Sequence, residues 1–169
     1  NLQNAKDNEK AARLVDAMQA ANAAVPGRTQ LLTFTDQEGG YVTRLGQGTQ
    51  MPGNMALGAA DDLAVTENGA FAPVLDVNSN PANPVIGIRS FSDDPETVAE
   101  QGVAFMNGLR KAGALSALKH FPGHGDTGTD SHTGLPIVNK TYEELKAFEL
   151  IPFQAAIDAG ADLVMTAHI

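Results

Sequence analysis

The residues that invite a chemical reading concentrate in one stretch, KHFPGHGDTGTDSH at 119–132, which holds three of the four histidines. Three chemistries compete for it. As a metal site, His120, His124, Asp126 and His132 could supply nitrogen and oxygen ligands. The spacing is neither HExxH nor that of a zinc finger, and the stretch is glycine-rich rather than helical. As a phosphate cradle it lacks the GxxxxGK pattern, and Gly39-Gly40 does not make a GxGxxG. The glycines suit a tight turn or close approach to a ligand instead. As an acid–base device, Asp130 and His132 flank a single residue, so a turn could set the carboxylate against one imidazole nitrogen. That contact would fix the tautomer, raise the ring's proton affinity and leave the other nitrogen to protonate a leaving group. Ser131 between them does not sit in a GxSxG elbow, so a serine nucleophile has little support. A purely structural turn, with Asp130 accepting from local amides, remains open.

TDQEGGYVTRL at 35–45 supplies a second group. Asp36 leaves a predicted strand directly and is the better ligand candidate, able to accept hydrogen bonds from neighbouring hydroxyls. Arg44 could serve a ligand or pair with Glu38 as a surface ion pair. Arg89, alone in VIGIRSF, could grip a substrate oxygen or pair with an acidic loop residue.

The elements that must carry these residues follow a βαβ rhythm. EKAARLVDAMQAANAA reads as an amphipathic helix with Leu14, Val15 and Met18 on one face, stopped by Pro26-Gly27. Short apolar runs at Leu31–Thr35, Phe71–Val77, Ala114–Leu118 and Leu163–Ala167 predict four strands, apolar on both faces as in a covered parallel sheet. Helices are predicted over Pro95–Ala112, with Gly113 as the stop, and over Thr141–Ala159, with Thr141 and Glu144 as a capping box. Residues 46–58, 78–94 and 121–136 read as loops. Asp36, Asp76, Lys119, His120 and His168 all fall at C-terminal strand ends, the edge that carries the ligand site in α/β folds. Two features do not fit. Gly58 to Phe71 is too short for a crossover helix with its loops, which takes a dozen residues or more. Four strands are also half the inventory of a closed eight-stranded barrel.

The chain has 169 residues, a net charge of -9 and no cysteine. Thiol catalysis, disulfides and thiolate zinc sites are thereby excluded. The acidic balance argues against nucleic acid or an anionic membrane as partner. No apolar run approaches the length of a membrane span, about 18 residues.

Five segments, TDQEGGYVTRL, MPGNMALGA, FAPVLDVNSNPANPVIGIRSF, SALKHFPGHGDTGTDSHTGLP and AIDAGADLVMTAHI, together resemble glycoside hydrolase family 3 in its β-N-acetylglucosaminidase (β-N-acetylhexosaminidase) branch. They run in family order over nearly the whole chain, and KHFPGHG followed by DSH is highly specific. The resemblance implies an α/β fold, an N-terminal (β/α)8 TIM barrel with its site at the C-terminal strand ends. It implies retaining exo-hydrolysis of terminal β-linked N-acetylglucosamine, from cell-wall muropeptides or chitooligosaccharides, with no cofactor and no metal. His132 matches the general acid/base and Asp130 its partner. Asp36 matches the residue that binds sugar hydroxyls, and Arg44, Arg89, Lys119 and His120 match further substrate contacts.

The chain departs from the family pattern twice. The family nucleophile is an Asp on a later loop, beyond Ile169, and the crossover segment before FAPV is missing. Residues 1–169 are therefore expected to form one partial barrel domain with an internal deletion, binding-competent without turning over. The DVNSNPANPVIG form resembles bacterial enzymes of the Gram-positive type, often secreted or surface-attached. A non-enzymatic glycan-binding module and a metallohydrolase are the competing readings.

Overall fold

The computed structural model describes residues 8–38, 42–44 and 69–169. Among them run α1 (Asn8–Ala23), β1 (Phe34–Thr35), β2 (Gly69–Ala70), α2 (Pro95–Lys111), β3 (Leu115–Phe121), α3 (Tyr142–Ala147), α4 (Ile151–Asp158) and β4 (Leu163–Thr166). The four strands are parallel and lie side by side in chain order. Parallel neighbours with helical crossovers make this an open segment of a (β/α) barrel, as expected. The Gly39-Gly40 turn, the loop at 46–58 and nearly all of the short interval before Phe71 lie outside the described residues.

α2 shows why the chain folds as it does. Asp94 caps it, its carboxylate accepting the Thr97 N–H at 2.8 Å, and Pro95 opens the first turn. Glu96 stands near its N-terminus and Arg110 and Lys111 near its C-terminus, each sign favourable to the helix dipole. Gly113 then adopts φ +80°, a left-handed turn open to glycine. Val98, Met106 and Leu109 are buried on its inner face. Val98 and Met106 pack with Leu75, Val77, Leu118, Phe153 and Ala156 into the main core between the sheet and helices α2 and α4.

The second predicted strand is only partly regular. β2 covers Gly69 and Ala70, but the run continues beside β3: Ala117 N–H donates to the Ala72 carbonyl and Lys119 N–H to that of Pro73. Val74 then bridges Lys119. Proline has no N–H to return, so the ladder lapses at Pro73 while the chain stays extended.

Three expectations need correction. The Thr141–Ala159 helix is two helices, interrupted over 148–150. Its capping box is present, with Glu144 N–H donating to Thr141 Oγ1 and Thr141 N–H to Glu144 Oε2. Pro152 breaks the run, because its ring opposes the Phe148 carbonyl and offers no N–H. The second concerns α1. Leu14 and Met18 are exposed, and the helix is held instead by polar groups: Gln19 trades two hydrogen bonds with the Leu31 backbone, and Asn22 donates to the Thr29 carbonyl. Lastly, Leu163 and Val164 of β4 are exposed, where both faces of the strand were expected to be covered.

Candidate active site

Of the five residues expected at strand ends, Lys119 meets Asp36 and His120 meets Asp76. Lys119 lies inside β3, which runs past its expected end at Leu118; its side chain is 2% exposed and its Nζ stands between two carboxylates, 2.7 Å from Asp36 Oδ1 and 2.6 Å from Glu38 Oε1. Glu38 is equally buried and also takes a fork from Arg89, Nε at 2.9 Å and Nη2 at 2.8 Å. Two cations therefore share one buried carboxylate. Burial alone would push the Glu38 carboxyl up, but hydrogen bonding and charge from Arg89 and Lys119 hold it below the ordinary glutamate value. Asp36, 43% exposed, is the carboxylate of the group that reaches solvent. This answers the open question on Arg89: it pairs with an acidic residue, and that residue is Glu38. The alternative ion pair between Arg44 and Glu38 does not form. Arg44 stands exposed, its backbone N–H donating to Gln37 Oε1 at 2.9 Å.

Asp76 organises the neighbouring histidines. Fully buried, it accepts the backbone N–H of His124 at 2.7 Å and lies 2.7 Å from His120 Nδ1. A carboxylate acceptor at that distance favours the His120 tautomer with its hydrogen on Nδ1. The His124 ring meets that of His120 edge-on at 6.1 Å, with its own Nδ1 2.6 Å from Thr127 Oγ1. Asn83 ties the two long loops together: its amide donates to the His124 and Gly125 carbonyls, and its oxygen accepts from Val85 and Ile86. The short 3-10 turn at Gly87–Arg89 follows directly and delivers Arg89.

Gly125 sits where the two loops meet. A Cβ there would run into the Val77 carbonyl, backbone that cannot rotate away. Gly125→Ala is expected to destabilise by the upper part of the roughly 1–3 kcal/mol typical of overpacking. Urea midpoints of the two proteins measure it, and an unchanged midpoint would show that the loops are not pressed together there.

Asp130 and His132 form the turn anticipated from their spacing. Asp130 Oδ1 accepts the His132 backbone N–H at 2.9 Å and stands 2.8 Å from its ring Nδ1. These bonds, the backbone one foremost, hold the Asp130 carboxyl below the ordinary aspartate value. The Thr133 and Gly134 N–H groups close the turn onto the Asp130 carbonyl. The His132 side chain is 80% exposed, so Nε2 is open to a ligand and to solvent protons.

The four residues of the metal reading have other partners: His120 with Asp76, His124 with Thr127, Asp126 with Lys140 and His132 with Asp130. Among the described residues no three His, Asp or Glu side chains gather as a metal site. His168 is exposed beyond β4.

Glu38, Asp76 and Asn83 were not singled out for roles by sequence. Glu38 carried a readable signal, since Asp36 and Glu38 two residues apart on extended chain point the same way. Asp76 was noticed only as a strand end. Asn83 has no local signature.

An Asp–His pair and a carboxylate–cation floor thus gather near the C-terminal ends of the parallel strands of a β/α barrel segment. The chain belongs to glycosyl hydrolase family 3: the model of that family's N-terminal domain matches residues 1–70 and 60–169. It is 41% identical over 188 residues to β-hexosaminidase A of Pseudoalteromonas piscicida, covering 99% of this chain and 31% of that protein. With the β-hexosaminidase of Stenotrophomonas maltophilia it shares 40% identity, over 93% of this chain and 52% of the relative. Among solved structures, it superposes on a family 3 β-N-acetylglucosaminidase from Paenibacillus with a TM-score of 0.84 and 46% identity, covering 94% of this chain and 33% of that one. It also superposes on NagZ from Neisseria gonorrhoeae with a TM-score of 0.85 and 33% identity, over 99% of this chain and 54% of that one. The chain thus spans between about a third and a half of the curated relatives it matches.

No helix among the described residues is long and apolar enough to cross a membrane.

Proposed function

We propose that the protein carrying this chain is a retaining exo-β-N-acetylglucosaminidase acting on muropeptides or chitooligosaccharides. The observation that carries the reading is the Asp130–His132 pair, with Nδ1 engaged by the carboxylate on an exposed side chain. The similarity to β-hexosaminidases supports the substrate class. His132 as imidazolium donates its Nε2 proton to the glycosidic oxygen as a carboxylate nucleophile displaces the aglycone. The neutral ring then takes a proton from the water that attacks the anomeric carbon, and the carboxylate leaves. Asp130 stabilises the cationic ring in both steps. Asp36 accepts from sugar hydroxyls, with Lys119, His120, Arg44 and Arg89 completing the grip. Secretion or surface attachment is part of the proposal, resting on the DVNSNPANPVIG segment; activity confined to the cytoplasm would overturn that part.

The test is hydrolysis of 4-nitrophenyl N-acetyl-β-glucosaminide by the natural protein, with NMR of the first-formed anomer. Turnover with a β-configured product is expected. Tight sugar binding without turnover would make the protein a glycan-binding module instead. Parallel kinetics on a disaccharide-peptide and on chitobiose decide between the two substrate classes.

A further inference from the structure

The loop carrying Asp130 and His132 is closed at its neck by an ion pair that the acid–base chemistry does not itself require. Lys140 Nζ lies 2.8 Å from Asp126 Oδ2 and also pairs with Glu149 Oε1. Asp126 and Lys140 flank residues 127–139 within the connection from β3 to α3, so the pair joins the two ends of a segment with His132 inside. Compact loops whose ends are tied in this way behave as units. Glu149 backs the neck. It comes from the interruption between α3 and α4, its side chain is 1% exposed, and its Cβ and Cγ lie 2.9 Å from where a Gly123 Cβ would stand. The loop base therefore leans on the Glu149 stem while Lys140 bridges carboxylates on both sides. Lys140 Nζ also lies 5.9 Å from the Phe148 ring centroid. By contrast, the hydrogen bonds around Asp130 and His132 are local to the turn; Asn80 and Asn83 anchor the start of the segment at Thr127, and the neck holds its far end at Lys140 to that anchored start.

We propose that Lys140, backed by Glu149, is a positioning residue for proton transfer: by closing the Asp126–Lys140 neck it sets where His132 stands relative to the bound sugar. This rests on His132 being the proton donor. A misplacement of about 1 Å at a reacting group costs up to about 100-fold in rate.

The test is Lys140→Met in the natural protein, measured with two N-acetyl-β-glucosaminides, one with a 2,4-dinitrophenyl and one with a sugar leaving group. Expected is a loss of about 10- to 100-fold in kcat on the sugar substrate with KM little changed. The dinitrophenyl substrate should keep nearly wild-type kcat/KM, because its leaving group needs no proton. Lys140→Arg should restore most of the loss. Should Lys140→Met fail to fold, Asp126→Asn opens the neck while leaving Lys140 on Glu149, and the same split is expected. Equal losses on both substrates, or a loss confined to KM, would overturn the proposal by showing a merely structural role. His132→Ala run alongside separates the two levels of the argument. If it shows the leaving-group split and Lys140→Met does not, the neck has no positioning role. If His132→Ala itself shows no split, the acid–base reading and the neck proposal both fall.

Discussion

Replacing His132 by Ala in the natural protein is expected to lower kcat by about 10²- to 10⁴-fold on substrates with sugar leaving groups. Two steps lose their proton carrier, and they lose it unequally. Departure of an alkoxide without protonation is slow, so poor leaving groups suffer most. A 2,4-dinitrophenolate departs unaided, so on that glycoside formation of the glycosyl-enzyme stays close to wild type. Its hydrolysis then lags because no base activates water. The intermediate should accumulate, visible as a burst of dinitrophenolate, with KM falling together with kcat. Azide needs no base, so adding it should accelerate turnover and yield a β-glycosyl azide. Asp130→Asn should give the same pattern more weakly, because the ring remains while losing the ionised partner at 2.8 Å. Equal losses on both leaving groups, with no azide rescue, would remove His132 from the role of acid and base.

That pair was legible in the sequence because its geometry is local. Residues two apart in a turn have few ways to meet, and a carboxylate preceding an amide by two is a common hydrogen-bonded turn. The strand ends were legible for a similar reason, since each follows a short apolar run and the β/α rhythm fixes which end faces the site. Lys119 was placed correctly, but its partners were not. Asp36 and Glu38 lie some eighty positions away in the chain, and nothing in either segment records that separation. Arg89 carries the same lesson: sequence offered a ligand or a carboxylate, and only the folded loops chose Glu38. The break before α4 was a different kind of miss. Helical periodicity continues through FELIPFQAAI, yet one proline outweighs it because a missing N–H and a ring clash cost about 3 kcal/mol in a helix interior. Leu14 and Met18 show the converse, since an apolar stripe signals a face able to be buried and does not say what covers it.

The buried charges yield the second large effect. Glu38→Ala is expected to destabilise the fold by about 3–5 kcal/mol, the usual cost of stranding the partner of a buried ion pair. Two cations would be stranded at once. Lys119, with its side chain 2% exposed, would keep only the half-exposed Asp36, and Arg89 would keep the Val85 carbonyl at 3.0 Å. Against a typical total of roughly 5–15 kcal/mol, the loss is a large fraction. The same carboxylate sets an acid limit. Its folded value lies below the ordinary glutamate value, so its contribution is complete above that ordinary value and is lost as pH falls through the folded one. Urea midpoints followed through the acid range should therefore fall more steeply for wild type than for Glu38→Ala, the two curves converging at low pH. Sugar affinity should weaken in the variant as well, because Lys119 and Arg89 lose the group that orients them while Asp36 remains. Glu38→Gln is the finer probe: it keeps the shape and one acceptor oxygen, and removes the charge. If it costs nearly as much as Ala, charge balance holds the floor together; if it is nearly silent, shape and hydrogen bonding do. A Glu38→Ala midpoint equal to wild type at neutral pH would refute the account of Glu38 as the shared counter-charge of the site.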